Sequence, residues 1–420
     1  MLCNYEKPFS MGGIVHYIRG ISKTSMMSKI ALVVKVGSMM EERHEHGLSH
    51  FLEHMLVDKM KHQVQDNHVV SGTFCHAYTN FHETVYIFHA YSMKEDETYA
   101  FIFQCMNTIN EILSGTGLNP NSMERVRKDV QNEHSTSNAN KETAIKDLFV
   151  DALPNIHLSI GDISCINEFS FDDVLGHHRR WYIPNNAAII IESNLEVEKI
   201  ESFISKQNIE LQINPLIASY LFNNGNTNLS CTSGINKKHD ENFLQSSLYF
   251  ISKARRLVSS PKKHIESLMN LDLAIEALMI TVSDYLSLHG IKYLHINGTM
   301  EIFSNDWHMI RFKIALSEEV TKMSEIIQYL KLTELNINAF YKTKNICRQK
   351  IIQNTNEYIA YGKEFFIDEC IQNFLFSEPI IELSKEIIFA RNAIGKASFK
   401  NVQRCYDYIK RNCVIVYQQL

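Results

Sequence analysis

The chain lacks a C-x-x-C pair, and its nine cysteines are scattered singly from Cys3 to Cys413. An odd, unpatterned set excludes a disulfide scaffold and a cysteine-built zinc site, so a reducing compartment, the cytoplasm, is expected. Basic excess is lacking as well. A formal net charge of −5 argues against a nucleic-acid partner and against an anionic membrane surface. No apolar run approaches the ~18 residues needed to span a bilayer. Met1–Ser10 has no apolar stretch of the kind a signal peptide needs, so neither a membrane span nor secretion is expected.

What is present is ordinary globular material. Apolar residues make up 45% and charged residues 21% of 420 positions, enough for two domains of about 200 residues each. Within it one stretch stands apart, Gly47-Leu48-Ser49-His50-Phe51-Leu52-Glu53-His54-Met55-Leu56, which contains H-x-x-E-H. On a helix, His50, Glu53 and His54 project from one side, one turn from each other. Two imidazoles at that spacing can bind one metal ion, and a carboxylate between them can reach a water there. Leu48, Phe51, Leu52, Met55 and Leu56 supply the apolar stripe that would seat the helix.

The flanking pattern reads as alternating strands and helices. Gly13–Ile18 and Ile30–Val36 are expected strands, the second apolar enough to be covered on both faces. Thr73–Tyr91 is a further strand region, Tyr99–Leu113 a helix, Phe171–Tyr182 a helix, Ala187–Ile191 a buried strand and Ser193–Lys206 a short helix. Asn119 and Pro120 make a helix start. Met123, Val126 and Val130 form its apolar stripe, with Glu133 ten residues after the first. Periodicity leaves two readings open for Glu133: a carboxylate paired or metal-bound on that stripe, or a helix already emerging into solvent.

A catalytic zinc site needs three protein ligands and an open position. His50, His54 and Glu133 would supply them, one zinc per chain, and Glu53 would be the general base. His44, His46, His62, His76, His82, His89 and His134 are competing candidates, each more simply read as a surface or packing residue.

The second half, after a polar, turn-rich stretch at 213–242, begins with a strand at Phe243–Ser252 and a long helix from Pro261 to Gly290. Strands follow at Ile291–Ile296 and His308–Leu316. Helices are expected at about Ser317–Thr333, Glu334–Asn354, Glu357–Leu375 and Phe399–Lys410, and a last strand at Cys413–Tyr417. This order echoes the first half, so an internal duplication is expected.

Several segments together resemble the pitrilysin/insulinase metalloproteases, the inverzincins, with a size closest to the small bacterial and mitochondrial-processing-peptidase-like members. They are Val36-Gly37-Ser38 with Glu42, then Gly47–Leu56, then Gly72-Thr73-Phe74-Cys75-His76-Ala77-Tyr78-Thr79 with Thr84 and Tyr86. Glu124–Glu133, ending 79 residues after His54, and Tyr182-Ile183-Pro184-Asn185-Asn186-Ala187 complete the set. The resemblance implies an α+β fold of two tandem similar domains, clam-like, each a mainly antiparallel sheet packed with helices. Its boundaries would be 1–212 for a zinc-binding catalytic domain, 213–242 for a linker and 243–420 for a domain of the same fold without the motif. It implies a zinc endopeptidase acting on peptides that add as a strand to an edge formed by Gly72 to Tyr78, with Gly72, His76, Ala77 and Tyr293 on the substrate side.

Three departures from the family pattern bear on function. A supporting Glu seven residues before the third ligand is Val126 here, and a substrate-side Asn is His76. The family's Arg and Tyr, seven apart in the second half, align with Leu286 and Tyr293. Family heterodimers divide zinc and Arg halves in that way. The resemblance therefore implies a second subunit of the same fold that supplies Arg and Tyr, in a protease trimming leaders of ribosomally made peptides. Two other readings are a non-catalytic binding or assembly subunit and a self-sufficient homodimeric peptidase.

Overall fold

The run Ile30-Ala31-Leu32-Val33-Val34 has no polar face to turn outward, and all five residues are fully buried. A strand of that kind belongs in the interior of a sheet with neighbours on both edges. The computed structural model, which describes residues 7–21, 27–66, 74–91, 94–139, 158–206, 236–239, 247–256, 260–302, 305–317, 323–361 and 366–419, places it there. The first sheet contains β1 (Phe9–Met11), β2 (Ile14–Gly20), β3 (Met27–Val34), β4 (Phe74–Thr79), β5 (Thr84–Tyr91) and β6 (Ala187–Ser193). Their order is β1-β2-β6-β3-β5-β4, so the apolar β3 and β6 are central and β4 is an edge. The β2–β6 pair is parallel and the others are antiparallel.

Helices α1 (Leu48–Asp66), α2 (Glu95–Ser114), α3 (Met123–Ala139), α4 (Ile163–Glu168), α5 (Phe171–Trp181) and α6 (Val197–Ser205) accompany this sheet. Several starts and stops have a local cause. Gly115 takes a left-handed conformation that ends α2. Asn119 accepts a hydrogen bond from the Asn121 amide ahead of α3, and Ser170 with Asp173 forms a capping box on α5. Alternate residues of β3 and β5 (Leu32, Val34, Tyr86, Phe88) bury one sheet face against Phe51 and Met55 of α1, Phe101 and Ile109 of α2, and Val126 and Val130 of α3.

The second sheet contains β7 (Asn236–His239), β8 (Ser247–Arg255), β9 (Tyr293–Ile302), β10 (Trp307–Leu316) and β11 (Cys413–Gln419), in the order β7-β11-β8-β10-β9. Number the strands of each half along the chain, setting β1 aside. Both sheets then read first-fifth-second-fourth-third, with the first and fifth strands parallel in each. The expected duplication is therefore present as topology, and the fold is α+β with two similar, mainly antiparallel sheets. Helices α7 (Pro261–Leu288), α8 (Met323–Leu332), α9 (Ile337–Tyr361), α10 (Phe366–Phe376), α11 (Leu383–Lys396) and α12 (Phe399–Arg411) complete this half.

The chain divides into two compact units. One comprises Met1–Val150, Pro154–Asn223 and Cys370–Leu375, and the other comprises Asp151–Leu153, Asn224–Glu369 and Phe376–Leu420. Of the stretch read as a linker, 236–239 form β7, and the rest lies outside the described residues. Strand β1 and helices α4 and α11 are additions to the sequence reading.

Candidate metal centre

Helix α1 carries two adjoining stripes. Leu48, Phe51, Leu52, Met55 and Leu56, spaced i, i+3, i+4, i+7 and i+8, are at most 2% exposed and anchor the helix in the core. His50, Glu53 and His54 form the neighbouring stripe. His50 and Glu53 are buried, at 8% and 6% exposed, while the His54 side chain is 27% exposed.

The helix is held at its start by Glu41, whose two carboxylate oxygens accept hydrogen bonds from the Gly47 and Ser49 amides, each at 2.8 Å. Burial pushes the Glu41 carboxyl up to about 7, against the lowering effect of those bonds. Gly47 (φ +96) meets Gly161 (φ +76) so closely that a Cβ on Gly161 would lie 2.4 Å from the Gly47 Cα. Ser49 Oγ lies 3.1 Å from His177 Nε2, and His46 Nδ1 lies 3.0 Å from Asp162. The turn before α1 is thus fixed from several sides.

Helix α3 brings the third donor, though not along its buried stripe. At 3.6 residues per turn, ten residues from Met123 fall about 80° short of the starting direction and eleven overshoot by about 20°. His134, eleven on, is accordingly the buried member, and Glu133 beside it has a half-exposed side chain. Glu133 Oε2 lies 3.2 Å from His54 Nε2 and 3.6 Å from His50 Nε2, and the two imidazole nitrogens are 3.1 Å apart. The rings are nearly perpendicular, at 88°. Among the described residues these three side chains are the only His, Cys, Asp or Glu group whose donor atoms converge, all within 4.8 Å.

A tetrahedral ion with bonds of about 2.0–2.1 Å sets its ligands about 3.3 Å apart, so the spacing and the His-His-carboxylate chemistry both fit zinc. Burial, and then the nearby charge of His54, lowers His50 to about 4. That keeps His50 neutral, as a ligand must be. Burial also acts to lower His54, but the Glu133 hydrogen bond and the charges of Glu53, Glu133 and Asp129 outweigh it and raise its pKa. The hydrogen bond from His54 in turn lowers Glu133.

The competing histidines go elsewhere. His44 is exposed near Glu42, His46 meets Asp162, and His76 and His89 stack on each other at 5.2 Å. The side chain of His62 lies outside the described residues.

A family model described as Insulinase (Peptidase family M16) matches residues 19–159, which contain this centre. Over that stretch the chain is similar to the insulinase family. A probable zinc protease PqqL of Haemophilus influenzae is 24% identical over 224 residues, 50% of this chain and 23% of that protein. A chloroplastic stromal processing peptidase of Arabidopsis thaliana is 25% identical over 191 residues, 43% of this chain and 15% of that protein. The crystal structure of the periplasmic protease PqqL from Escherichia coli matches 100% of this chain and 48% of that one, with a TM-score of 0.80 at 11% identity, a likeness of fold. Against each of these relatives the match spans less than half of the longer protein. Among the described residues no helix is long and apolar enough to cross a membrane.

The departures from the family pattern have structural counterparts. Val126 is buried in the core, and the buried Nδ1 of His50 has no hydrogen-bond partner among the described residues. His76 lies on the edge strand β4, while Ala77, on the opposite face, packs against the core. Gly72 lies outside the described residues. Leu286 is fully buried in an apolar cluster, and the Tyr293 hydroxyl is 2.7 Å from Ser283 Oγ. Both positions are occupied with packing their own unit.

Sequence reading missed three supports of the site. Glu41, not Glu42, caps α1, while Glu42 forms a capping box with Glu45. Gly37 approaches the β4–β5 turn so closely that a Cβ would lie 2.2 Å from the Asn80 carbonyl oxygen. Thr79 donates a hydrogen bond to Glu53 Oε2 at 3.1 Å. All three fall within or beside the resemblance segments, which was the one signal available for them.

Proposed function

We propose that this chain is a zinc-dependent endopeptidase that hydrolyses peptides, with His50, His54 and Glu133 as metal ligands and Glu53 as the general base. The convergence of three donor atoms beside a buried carboxylate carries the reading. Zinc at this centre supplies Lewis acidity toward a carbonyl and lowers the pKa of a water. Glu53, one residue from a ligand and shielded from bulk water, takes a proton from the attacking water and returns it to the leaving amine. The edge strand β4 could receive an extended peptide as a further strand, with His76 and Ala77 facing opposite sides of it.

The second unit supplies no Arg where the family resemblance expects one, because Leu286 is sealed in an apolar cluster. We therefore take the chain to be the zinc-bearing member of a two-subunit protease whose partner contributes the Arg and Tyr that steady the oxyanion. Leader trimming of ribosomally made peptides is the proposed task. A cytoplasmic setting is part of this reading, on the odd, scattered set of cysteines without a C-x-x-C pair. An assembly subunit of the same fold has no need of the motif, yet His50, Glu53, His54 and Glu133 are all present.

The test is metal analysis of the purified chain with and without added zinc, followed by peptide cleavage by wild type and Glu53→Gln. Stoichiometric zinc in both proteins is expected, with turnover by wild type once a same-fold subunit carrying Arg and Tyr is added, and none by Glu53→Gln under the same conditions. A chain that holds no zinc even when it is supplied sinks the enzyme reading. Cleavage by the isolated chain sinks the need for a partner.

A further inference from the structure

A glutamate's terminal torsion is broad and roughly two-fold, so burial alone does not orient the Glu53 carboxylate. The hydroxyl beside it does. Thr79, at the end of β4, is 7% exposed, and its Oγ1 lies 3.1 Å from Glu53 Oε2 and 3.4 Å from Thr84 Oγ1. A threonine hydroxyl has one proton to give. Thr84 donates its own to the Val36 carbonyl at 2.9 Å, so it can only accept from Thr79. Of the two acceptors facing the Thr79 proton, the carboxylate is nearer and stronger. Beyond Thr84, the Tyr182 hydroxyl hydrogen-bonds to it, and the fully buried Tyr86 hydroxyl lies 2.8 Å from that of Tyr182.

From this geometry we infer that Thr79 is a positioning residue for the base. Its hydroxyl fixes the rotation of the Glu53 carboxylate toward the metal ligands. A buried β-strand threonine serving only the fold could be valine at equal volume. Here the hydroxyl carries the function, and the strand that receives the peptide is also the strand that aims the base. The inference rests on the peptidase reading above and deepens it.

The experiment compares wild type, Thr79→Val and Thr79→Ser, each with the same-fold partner subunit proposed above, on a pool of internally quenched peptides, together with zinc content and urea unfolding of the metal-free proteins. Thr79→Val is expected to bind zinc as wild type does. Its KM should stay within about twofold while kcat falls roughly 10- to 100-fold, the range for misplacing a reacting group by ~1 Å. Thr79→Ser, which keeps the hydroxyl, is expected to regain most of kcat. Wild-type kcat in Thr79→Val, or no recovery in Thr79→Ser, overturns the inference.

A double-mutant cycle with Glu53→Ala on the metal-free protein reads the contact without activity. Thr79→Val and Glu53→Ala should be coupled by a factor of about 10 in the folding equilibrium, as expected for a hydrogen bond to a charged group. Strict additivity overturns the contact. A wild-type chain that holds no zinc and cleaves nothing refutes the peptidase reading instead, and the cycle still decides whether Thr79 holds Glu53.

Discussion

Replacing Glu41 with alanine tests whether the metal centre depends on how its helix begins. Helix α1 starts at Leu48, so Gly47 and Ser49 carry amide groups with no carbonyl partner inside the helix. Both residues are buried, and Glu41 supplies their acceptors at 2.8 Å. An orphaned buried donor costs about 1–3 kcal/mol, and loss of a cap about 0.5–2 kcal/mol. Because some water can enter the vacated space, the expected net loss in Glu41→Ala is about 2–4 kcal/mol at pH 5. His50 is the third residue of the helix, so fraying there should also lower zinc affinity about 10- to 100-fold, as loss of an outer support does.

Burial holds the folded Glu41 carboxyl up at about 7, against 4.5 when unfolded. Its contribution is then fully present below pH ~4.5 and is lost as the pH rises to about 7. The gap between wild type and Glu41→Ala should therefore narrow between pH 5 and pH 8. Amide exchange at Gly47 and Ser49 reads the cap directly, even if the two units unfold separately, and urea unfolding and a zinc competition titration complete the assay. If those two amides exchange no faster in Glu41→Ala, and stability changes by less than about 0.5 kcal/mol, the cap does not hold the helix.

Glu133→Ala should lower zinc affinity and, in the metal-free protein, bring the raised His54 pKa down; unchanged affinity in a metal titration would place the third ligand elsewhere. The His54–Glu133 pair contributes stability that is fully present below the ordinary histidine value of 6.5 and is lost as pH rises through the raised folded value. Zinc must displace that proton, so its affinity should climb with pH over the same window, and calorimetry in buffers of different ionisation heat should show proton release. No release and a flat profile would mean that His54 is already neutral. Gly161→Ala sets a Cβ 2.4 Å from the Gly47 Cα at a φ of +76. A loss of at least about 2 kcal/mol is expected, and an unshifted thermal midpoint would show that the two turns separate freely.

Much of this fold was legible in the sequence where one strong period governed a segment. The all-apolar β3 and the double stripe of α1 follow from residues 30–34 and 48–56 alone. Legibility failed where packing from elsewhere decided the outcome. Glu133 looked like a stripe residue because ten and eleven residues differ little on a list, yet one places a side chain beside His50 and His54 and the other in the core. Helix α11 was missed because it buries only Ala390, Ala393 and Ile394, too small and too few to make a stripe. The role of Thr79 could not be read from its strand, since its partner Glu53 is 26 residues away on a helix.

The duplication separates what the fold requires from what the site requires. Helix α7 joins the second and third strands of its sheet, as α1 does in the first. Its buried positions are mostly apolar: Leu273, Ala274, Ala277 and Leu286 are fully covered. The polar groups it does bury are neutralised where they stand. His264 Nε2 lies 2.6 Å from Glu378, which also receives the Arg256 guanidinium at 2.6 Å, and Glu276 pairs with Lys350 at 2.5 Å. Such pairs are complete without an ion, because each buried charge already faces its opposite. On α1 the balance differs. His50 is kept neutral by burial, its Nε2 points at a second imidazole nitrogen, and a carboxylate closes the third side. Once His54 gives up the proton it shares with Glu133, three electron-pair donors face one another, and a shared cation stabilises them in a way the paired charges of α7 do not need. The same topology therefore gives the proposed metal centre in one unit and a packing helix in the other, and the difference lies in which buried polar groups each helix leaves for a cation to satisfy.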